Sequence, residues 1–137
     1  MIKYRILPEH KLVVLCVWGA TSANEILDLS QALRQDPLFS ESYDTLVDNS
    51  RLEEPMSGEE MRGLARPQVH YMDSPTRVAI VAPANATYGT SRMHQQLTEF
   101  NSPSQEGVFR DLGSAVEWLG RGHLDLGDVC AEMRQAE

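Results

Sequence analysis

Apolar residues near the start of the chain occur in two strand-length runs separated by a short polar turn. Residues 3–7 alternate between polar and apolar side chains, and residues 12–19 are rich in β-branched side chains and end at a glycine. The intervening turn begins with Pro8. Because two such runs with a short connection pair with each other, the pattern predicts an antiparallel hairpin at the start of the chain.

Helical spacing of apolar residues follows, and each predicted helix starts at a residue that can cap it. Ser22 is followed three residues later by Glu25, which is the arrangement of a capping box. Asp36-Pro37 ends this first helix, because the residue before a proline avoids helical backbone angles. The capping residues of the four predicted helices are Ser22, Ser57, Asn85 and Asp111.

Three further strand-like runs separate these helices, at residues 45–49, 76–84 and 107–111. The run at 76–84 is apolar at both odd and even positions, which is typical of a central strand covered on both faces. Strands and helices alternate after the hairpin. This order predicts an α/β fold with a mixed central sheet of four to five strands, joined by right-handed crossovers to about four helices.

We assign residues 1–120 to this domain and residues 121–137 to a C-terminal tail that can form a short helix. The tail carries apolar residues at helical spacing, and we expect them to be exposed and able to pair with a second copy of the chain. These residues are Leu126, Val129 and Met133. A homodimer is therefore one expectation.

Charge and composition narrow the classes of partner. Twelve basic and 20 acidic residues give a net charge of −8, which disfavours binding to nucleic acid. No apolar run approaches the roughly 18 residues of a membrane span, so we expect no stable membrane insertion. The first residues lack the long apolar stretch of a signal peptide, and we expect a cytoplasmic protein.

The cysteines and histidines do not indicate a metal site or a disulfide framework. Cys16 lies in an apolar run and is interpreted as a small core residue, whereas Cys130 lies in the tail and could be exposed. The four histidines occupy separate segments, without the paired spacing of zinc ligands. No nucleotide-binding or catalytic motif is present in the sequence. We therefore expect no metal, no cofactor, no catalytic residues and no enzymatic activity.

Several short motifs, in their order and spacing, resemble those of SpoIIAA-like proteins. The motifs are Asp36-Pro37, LVD at 46–48, RVAIVAP at 77–83, YGTSRM at 88–93 and VFRDLGSAVEWL at 108–119. SpoIIAA-like proteins have the STAS fold, which is related to the CRAL-TRIO lipid-binding fold. The resemblance covers residues 1–120, and it implies helices mainly on one face of the sheet and a regulatory or interaction role.

Ser57 is the residue to which this resemblance gives a specific role. In anti-sigma factor antagonists of the STAS group, a serine followed by glycine begins the helix after the third strand and is phosphorylated. Ser57-Gly58 falls at the corresponding place, although Pro55-Met56 precede it and two glutamates follow. Ser57 is thus a candidate phosphosite, and the alternative is a helix cap alone.

Two polar groups are further candidates for binding a ligand or partner. Asn49 and Ser50, with Asp48, are predicted to end the third strand, where ligands of open α/β sheets collect, or to form a local turn. Tyr88 and Arg92 open the third predicted helix, where they could hold an anion or pair within the protein.

Three methionines are the apolar candidates for binding a ligand or partner. Met56, Met61 and Met93 lie around the second and third predicted helices, where they either pack in the core or line a pocket between those helices. The functional prediction is a non-enzymatic module that binds a protein partner. The alternative, which the CRAL-TRIO resemblance implies, is a carrier or sensor of a small apolar ligand at that pocket.

Overall fold

A computed structural model describes residues 1–54, 76–83, 88–89, 92 and 105–135. Within these residues five strands form one sheet in the order β1-β2-β3-β4-β5. The strands are β1 Ile2–Leu7, β2 Leu12–Ala20, β3 Asp44–Glu54, β4 Arg77–Val81 and β5 Gln105–Phe109. β1 is antiparallel to β2, and every following neighbour is parallel. The prediction of an α/β protein with a mixed sheet and an antiparallel opening hairpin is therefore confirmed.

The turn of the hairpin is a short 3-10 helix, Pro8–His10. Pro8 suits the first helical position, where its missing N–H costs nothing. Lys11 then adopts a left-handed conformation with φ of 50°, and its N–H donates to the Pro8 carbonyl. This turn sets the register in which Leu7 faces Leu12.

The first helix, α1 Ala23–Gln35, begins and ends where the sequence predicts. The Glu25 N–H donates to Ser22 Oγ at 3.3 Å, which confirms Ser22 as the cap. At its C-terminus, Leu33 packs against side chains of the hairpin on one face of the sheet, with Val13 and Leu15.

The opposite face of the sheet is covered by two helices, α2 Leu112–Trp118 and α3 Leu126–Gln135. Asp111 caps α2, because its carboxylate accepts from the Ser114 N–H at 2.8 Å. α2 and α3 cover a second apolar cluster built from alternate strand residues. Its strand members are Leu12, Val14, Cys16, Leu46, Ala79 and Val81.

The tail helix α3 is part of this core, and the expectation of an exposed apolar face was wrong. Leu126 and Met133 are each only 3% exposed, and Val129 packs against the same cluster. Cys130, which from its place in the tail could have been exposed, is only 1% exposed. The tail could not be placed from its own pattern, since a short amphipathic helix can bury its apolar face against the sheet or against a second copy. The face that would have supported a homodimer contacts the sheet instead.

The described helices lie on both faces of the sheet, α1 on one and α2 and α3 on the other. The expected arrangement with helices mainly on one face is not found among them. The second and third predicted helices lie outside the described residues, except for Tyr88, Gly89 and Arg92, which have helical backbone. No helix among the described residues is long and apolar enough to cross a membrane.

Candidate functional site

The predicted ligand site at the end of the third strand is not at a strand end. β3 continues to Glu54, so Asn49 and Ser50 lie inside it. The pairing with β2 shifts after Cys16 and Asp48, as in a β-bulge. Asp48 Oδ1 accepts from the Ser50 N–H at 2.9 Å, so the local-turn alternative describes this stretch better. Asn49 is half-buried and Ser50 is exposed.

Tyr88, one of the other predicted pair, lies near the C-terminal end of β5, where it contacts Arg110. The guanidinium carbon of Arg110 lies 3.9 Å from the centre of the Tyr88 ring, a cation–π contact. Arg110 Nη1 also donates to the Pro83 carbonyl at 3.1 Å. Arg92 is exposed. Tyr88 therefore has a packing role against Arg110, and the remaining candidates, Met56, Ser57, Met61 and Met93, lie outside the described residues.

The most chemically distinctive group of side chains is a buried cluster that sequence reasoning missed. Cys16 from β2, Asp48 from β3 and Cys130 from α3 place their sulfur and carboxylate atoms within 4.8 Å of one another. Cys16 and Asp48 are direct partners in the parallel register, so their side chains share one face of the sheet. α3 then brings Cys130 onto that face. Cys16 Sγ lies 3.8 Å from the Cys130 carbonyl oxygen.

Arg134, one helical turn after Cys130, completes the cluster. Its Nη1 donates to Cys16 Sγ at 3.4 Å and lies 3.5 Å from Asp48 Oδ2. The Asp48 side chain is 5% exposed, whereas that of Arg134 is 22% exposed. The guanidinium therefore lies between the buried carboxylate and solvent, where its charge offsets the cost of burying an anion.

The pKa values of the two cysteines shift in opposite directions because the two side chains share a hydrogen bond. The pKa of Cys16 is lowered to about 7, first because the Cys130 thiol donates to its sulfur and then because Arg134 does so, against the effect of burial. The pKa of Cys130 is raised, first by the same hydrogen bond to Cys16 and then by burial. The cluster thus favours one thiolate, at Cys16, beside a neutral thiol.

A partial signal for this cluster exists in the sequence. Cys130 and Arg134 are four residues apart, so they must share one helix face once α3 forms. Nothing local predicts that this face lies over Cys16 and Asp48, which are 114 and 82 positions before Cys130. The interpretation of Cys16 as a buried residue is confirmed, but its polar neighbours depend on how α3 docks.

A second feature is an open groove of about 520 Å³ between the edge strand β1 and helix α1. The residues that line it are Ile2, Lys3, Tyr4, Glu25, Asp28, Leu29 and Ala32. The single basic residue among them, Lys3, holds its Nζ 5.9 Å from the centre of the Trp18 ring. Glu25 lies 3.5 Å from the Met1 ammonium group. The groove therefore combines an apolar floor with carboxylates of α1 on its rim.

Comparison with known proteins identifies no relative: no protein-family model, curated protein or solved structure matches the chain. The groove and the buried cluster are therefore the features of the chain that indicate its function.

Proposed function

We propose that the chain is a non-enzymatic STAS-like module that binds an extended, basic segment of a protein partner in the groove between β1 and α1. The observation that carries this proposal is the position of the groove beside an edge strand. β1 pairs with β2 on one side, and no strand of the described residues pairs with its other side. Unpaired backbone groups at such an edge can pair with an added strand from a partner.

The mixed sheet and its opening hairpin support the STAS-like part of the proposal, together with the sequence motifs that resemble that family. The second and third helices of a STAS-like fold stay predictions, because their residues are outside the described part of the chain.

The charge of the groove indicates the kind of segment. Asp28 is exposed on the rim, and the whole chain carries a net charge of −8. A basic side chain of the partner would pair with Asp28 on the rim, while the adjacent apolar side chains, which point the opposite way, would reach the floor near Leu29. The expected ligand is thus a strand-forming peptide in which apolar and basic residues alternate.

Fluorescence anisotropy with a labelled eight-residue peptide of alternating valine and lysine tests this function. We expect Asp28→Lys to weaken binding at least about tenfold, as loss of a close charge pair does. Glu117→Lys is the matched control, because it makes the same change in net charge at an exposed position on α2, on the opposite face of the sheet. Equal weakening by both variants, or no binding by the wild type, would contradict the proposal.

Ser57 is proposed as the regulatory residue of this module, on the resemblance to phosphorylated STAS proteins. Phosphate at a helix start would add negative charge and new hydrogen-bond acceptors. The same anisotropy assay with Ser57→Asp, compared with Ser57→Ala, measures its effect. Identical affinities for the two variants would remove Ser57 from the mechanism.

A small apolar ligand is the second candidate. Val47, Val78 and Ile80 form a third apolar cluster on the α1 side of the sheet, which Val47 joins to the cluster under α1. This cluster would form the sheet side of the apolar pocket predicted between the second and third helices, with Met56, Met61 and Met93 as its predicted lining. Native mass spectrometry after incubation with palmitic acid should then show a stoichiometric adduct and a raised melting temperature. A mass and melting temperature identical to those of untreated protein would argue for the peptide-binding function alone.

A further inference from the structure

The buried cluster has the donor set of a metal site, although the sequence alone indicated none. Two sulfurs and a carboxylate converge from β2, β3 and α3, and all three residues are buried, at 0% for Cys16, 4% for Asp48 and 1% for Cys130. Thiolate and carboxylate are ligands that zinc accepts in proteins, and sulfur favours zinc over magnesium or calcium.

The spacing of these atoms suits a single ion. In tetrahedral coordination, sulfur ligands about 2.3 Å from zinc lie about 3.8 Å apart. The three donor atoms of the cluster lie within 4.8 Å of one another, so side-chain adjustments of less than about 1 Å reach that geometry. The three donors come from β2, β3 and α3, which already pack together in one core. The fold therefore holds the donor atoms close to one another before an ion binds.

We propose that Cys16, Asp48 and Cys130 bind one zinc ion, with Arg134 as the neighbouring charge-balancing residue. Two thiolates and a carboxylate around a divalent ion carry one net negative charge, which the guanidinium neutralises. Zinc binding releases to solvent the Cys130 thiol proton and any proton still on Cys16, and each sulfur keeps lone pairs with which to accept from Arg134. Such a hydrogen bond to a ligating sulfur orients and stabilises it.

Three protein ligands leave one position of a tetrahedral ion open. Among the described residues, the group of donors within this range contains no fourth histidine, cysteine or carboxylate. Water or a small exogenous ligand therefore takes that position. Arg134, with 22% of its side chain exposed, lies on the solvent side of the cluster and marks the route of entry.

Cobalt(II) is the probe for the first measurement, because thiolate coordination gives it an intense near-ultraviolet charge-transfer band. The full chain, reduced and stripped of metal with a chelator, is titrated with cobalt(II) and then with zinc. We expect one cobalt ion per chain, displacement of the band by zinc, and a zinc-dependent rise in melting temperature. Absence of a stoichiometric thiolate band in folded wild-type protein would overturn the proposal without reference to any variant.

Variants then assign the ligands. Cys16→Ser and Cys130→Ser should each weaken zinc binding at least about 100-fold, and Arg134→Gln about 10-fold to 100-fold. Val14→Ala is the matched control, since it weakens the same apolar cluster without removing a donor. Retention of the cobalt band in both cysteine variants would overturn the assignment, and so would loss of the band in Val14→Ala to the same extent.

Two further outcomes separate this proposal from its rivals. If the unreduced protein contains a Cys16–Cys130 disulfide and the reduced protein gives no cobalt band, the two cysteines form a thiol pair and not a metal site. Asp28→Lys, which alters the proposed peptide groove, should bind zinc as the wild type does. The metal site and the peptide-binding function can therefore fail independently.

Discussion

Arg121 joins three parts of the fold at the end of the sheet opposite the bulge, and its removal gives the sharpest stability prediction. The guanidinium pairs with the Asp44 carboxylate at the start of β3, and it donates to carbonyls at the hairpin turn and at the residue that follows α2. The carbonyl acceptors are His10 at 3.0 and 3.2 Å, Lys11 at 3.1 Å, and Leu119. The planar guanidinium supplies five donors in a fixed geometry, which allows one side chain to make all of these bonds.

The magnitude follows from the partners left behind in Arg121→Ala. The ion pair to Asp44 is a charge-assisted bond, worth about 1.5–3 kcal/mol, and the backbone acceptors add about 1 kcal/mol each when water does not replace the donor. The Arg121 and Asp44 side chains are 18% and 19% exposed, so water reaches some of these groups after the substitution. We therefore expect a loss of about 3 kcal/mol in the free energy of unfolding, which corresponds to about 10 °C in Tm for a chain of this size.

Urea denaturation followed by circular dichroism measures this loss, provided the dependence on urea concentration is unchanged between variants. Arg34→Ala is the control, since Arg34 is exposed on α1 and alanine favours the helix. Arg121→Lys keeps the charge but replaces the planar group with a single ammonium, and we expect it to recover less than half of the loss.

A loss for Arg121→Ala within about 0.5 kcal/mol of that for Arg34→Ala would refute the reasoning, because surface substitutions commonly fall in that range. Full recovery by Arg121→Lys would show that charge alone matters and that the fixed geometry of the guanidinium does not.

Three other predictions rest on single contacts. Tyr4→Phe removes the 2.8 Å hydrogen bond from the Tyr4 hydroxyl to Asp36, and should cost about 1 kcal/mol by urea denaturation at pH 7. That bond raises the pKa of Tyr4 above its value in the unfolded chain. The extra stability of the wild type over Tyr4→Phe should therefore be complete below about pH 10 and fade at higher pH, where the unfolded tyrosine ionises first. A stability difference that grew with pH would contradict this prediction. Ser22→Ala removes the cap of α1 and should cost about 1 kcal/mol, with Ser22→Asp as the variant that restores it, and equal stability of the two would disprove the capping role. Gly107→Ala places a methyl group 2.8 Å from the Phe109 ring and should cost about 1–3 kcal/mol in thermal denaturation, whereas a neutral result would mean that the ring moves freely.

Much of the fold could be predicted from local patterns. The hairpin, the alternation of later strands with helices, and the caps at Ser22 and Asp111 are each determined by residues a few positions apart. Strand periodicity and capping hydrogen bonds depend on residues only a few positions apart, so they can be predicted directly from the sequence.

The length of β3 and the docking of α3 could not be predicted in this way. The polar residues Asn49 and Ser50 suggested a strand end, but pairing with β2 continues beyond a bulge and carries β3 to Glu54. Pairing with the neighbouring strand, and not the β-propensity of these residues, extends β3. This is the usual reason why strands predicted from sequence alone are too short.

Local patterns in the sequence thus specify an α/β chain of capped helices and strands, and an apolar run places Cys16 inside. Long-range packing, in contrast, buries the apolar face of α3 against the sheet and so brings Cys130 and Arg134 to Cys16 and Asp48. The hydrophobic effect has no preferred direction, so several surfaces could cover the same apolar helix face equally well. The choice among them depends on the shape of the whole core, and the polar cluster was created by that choice.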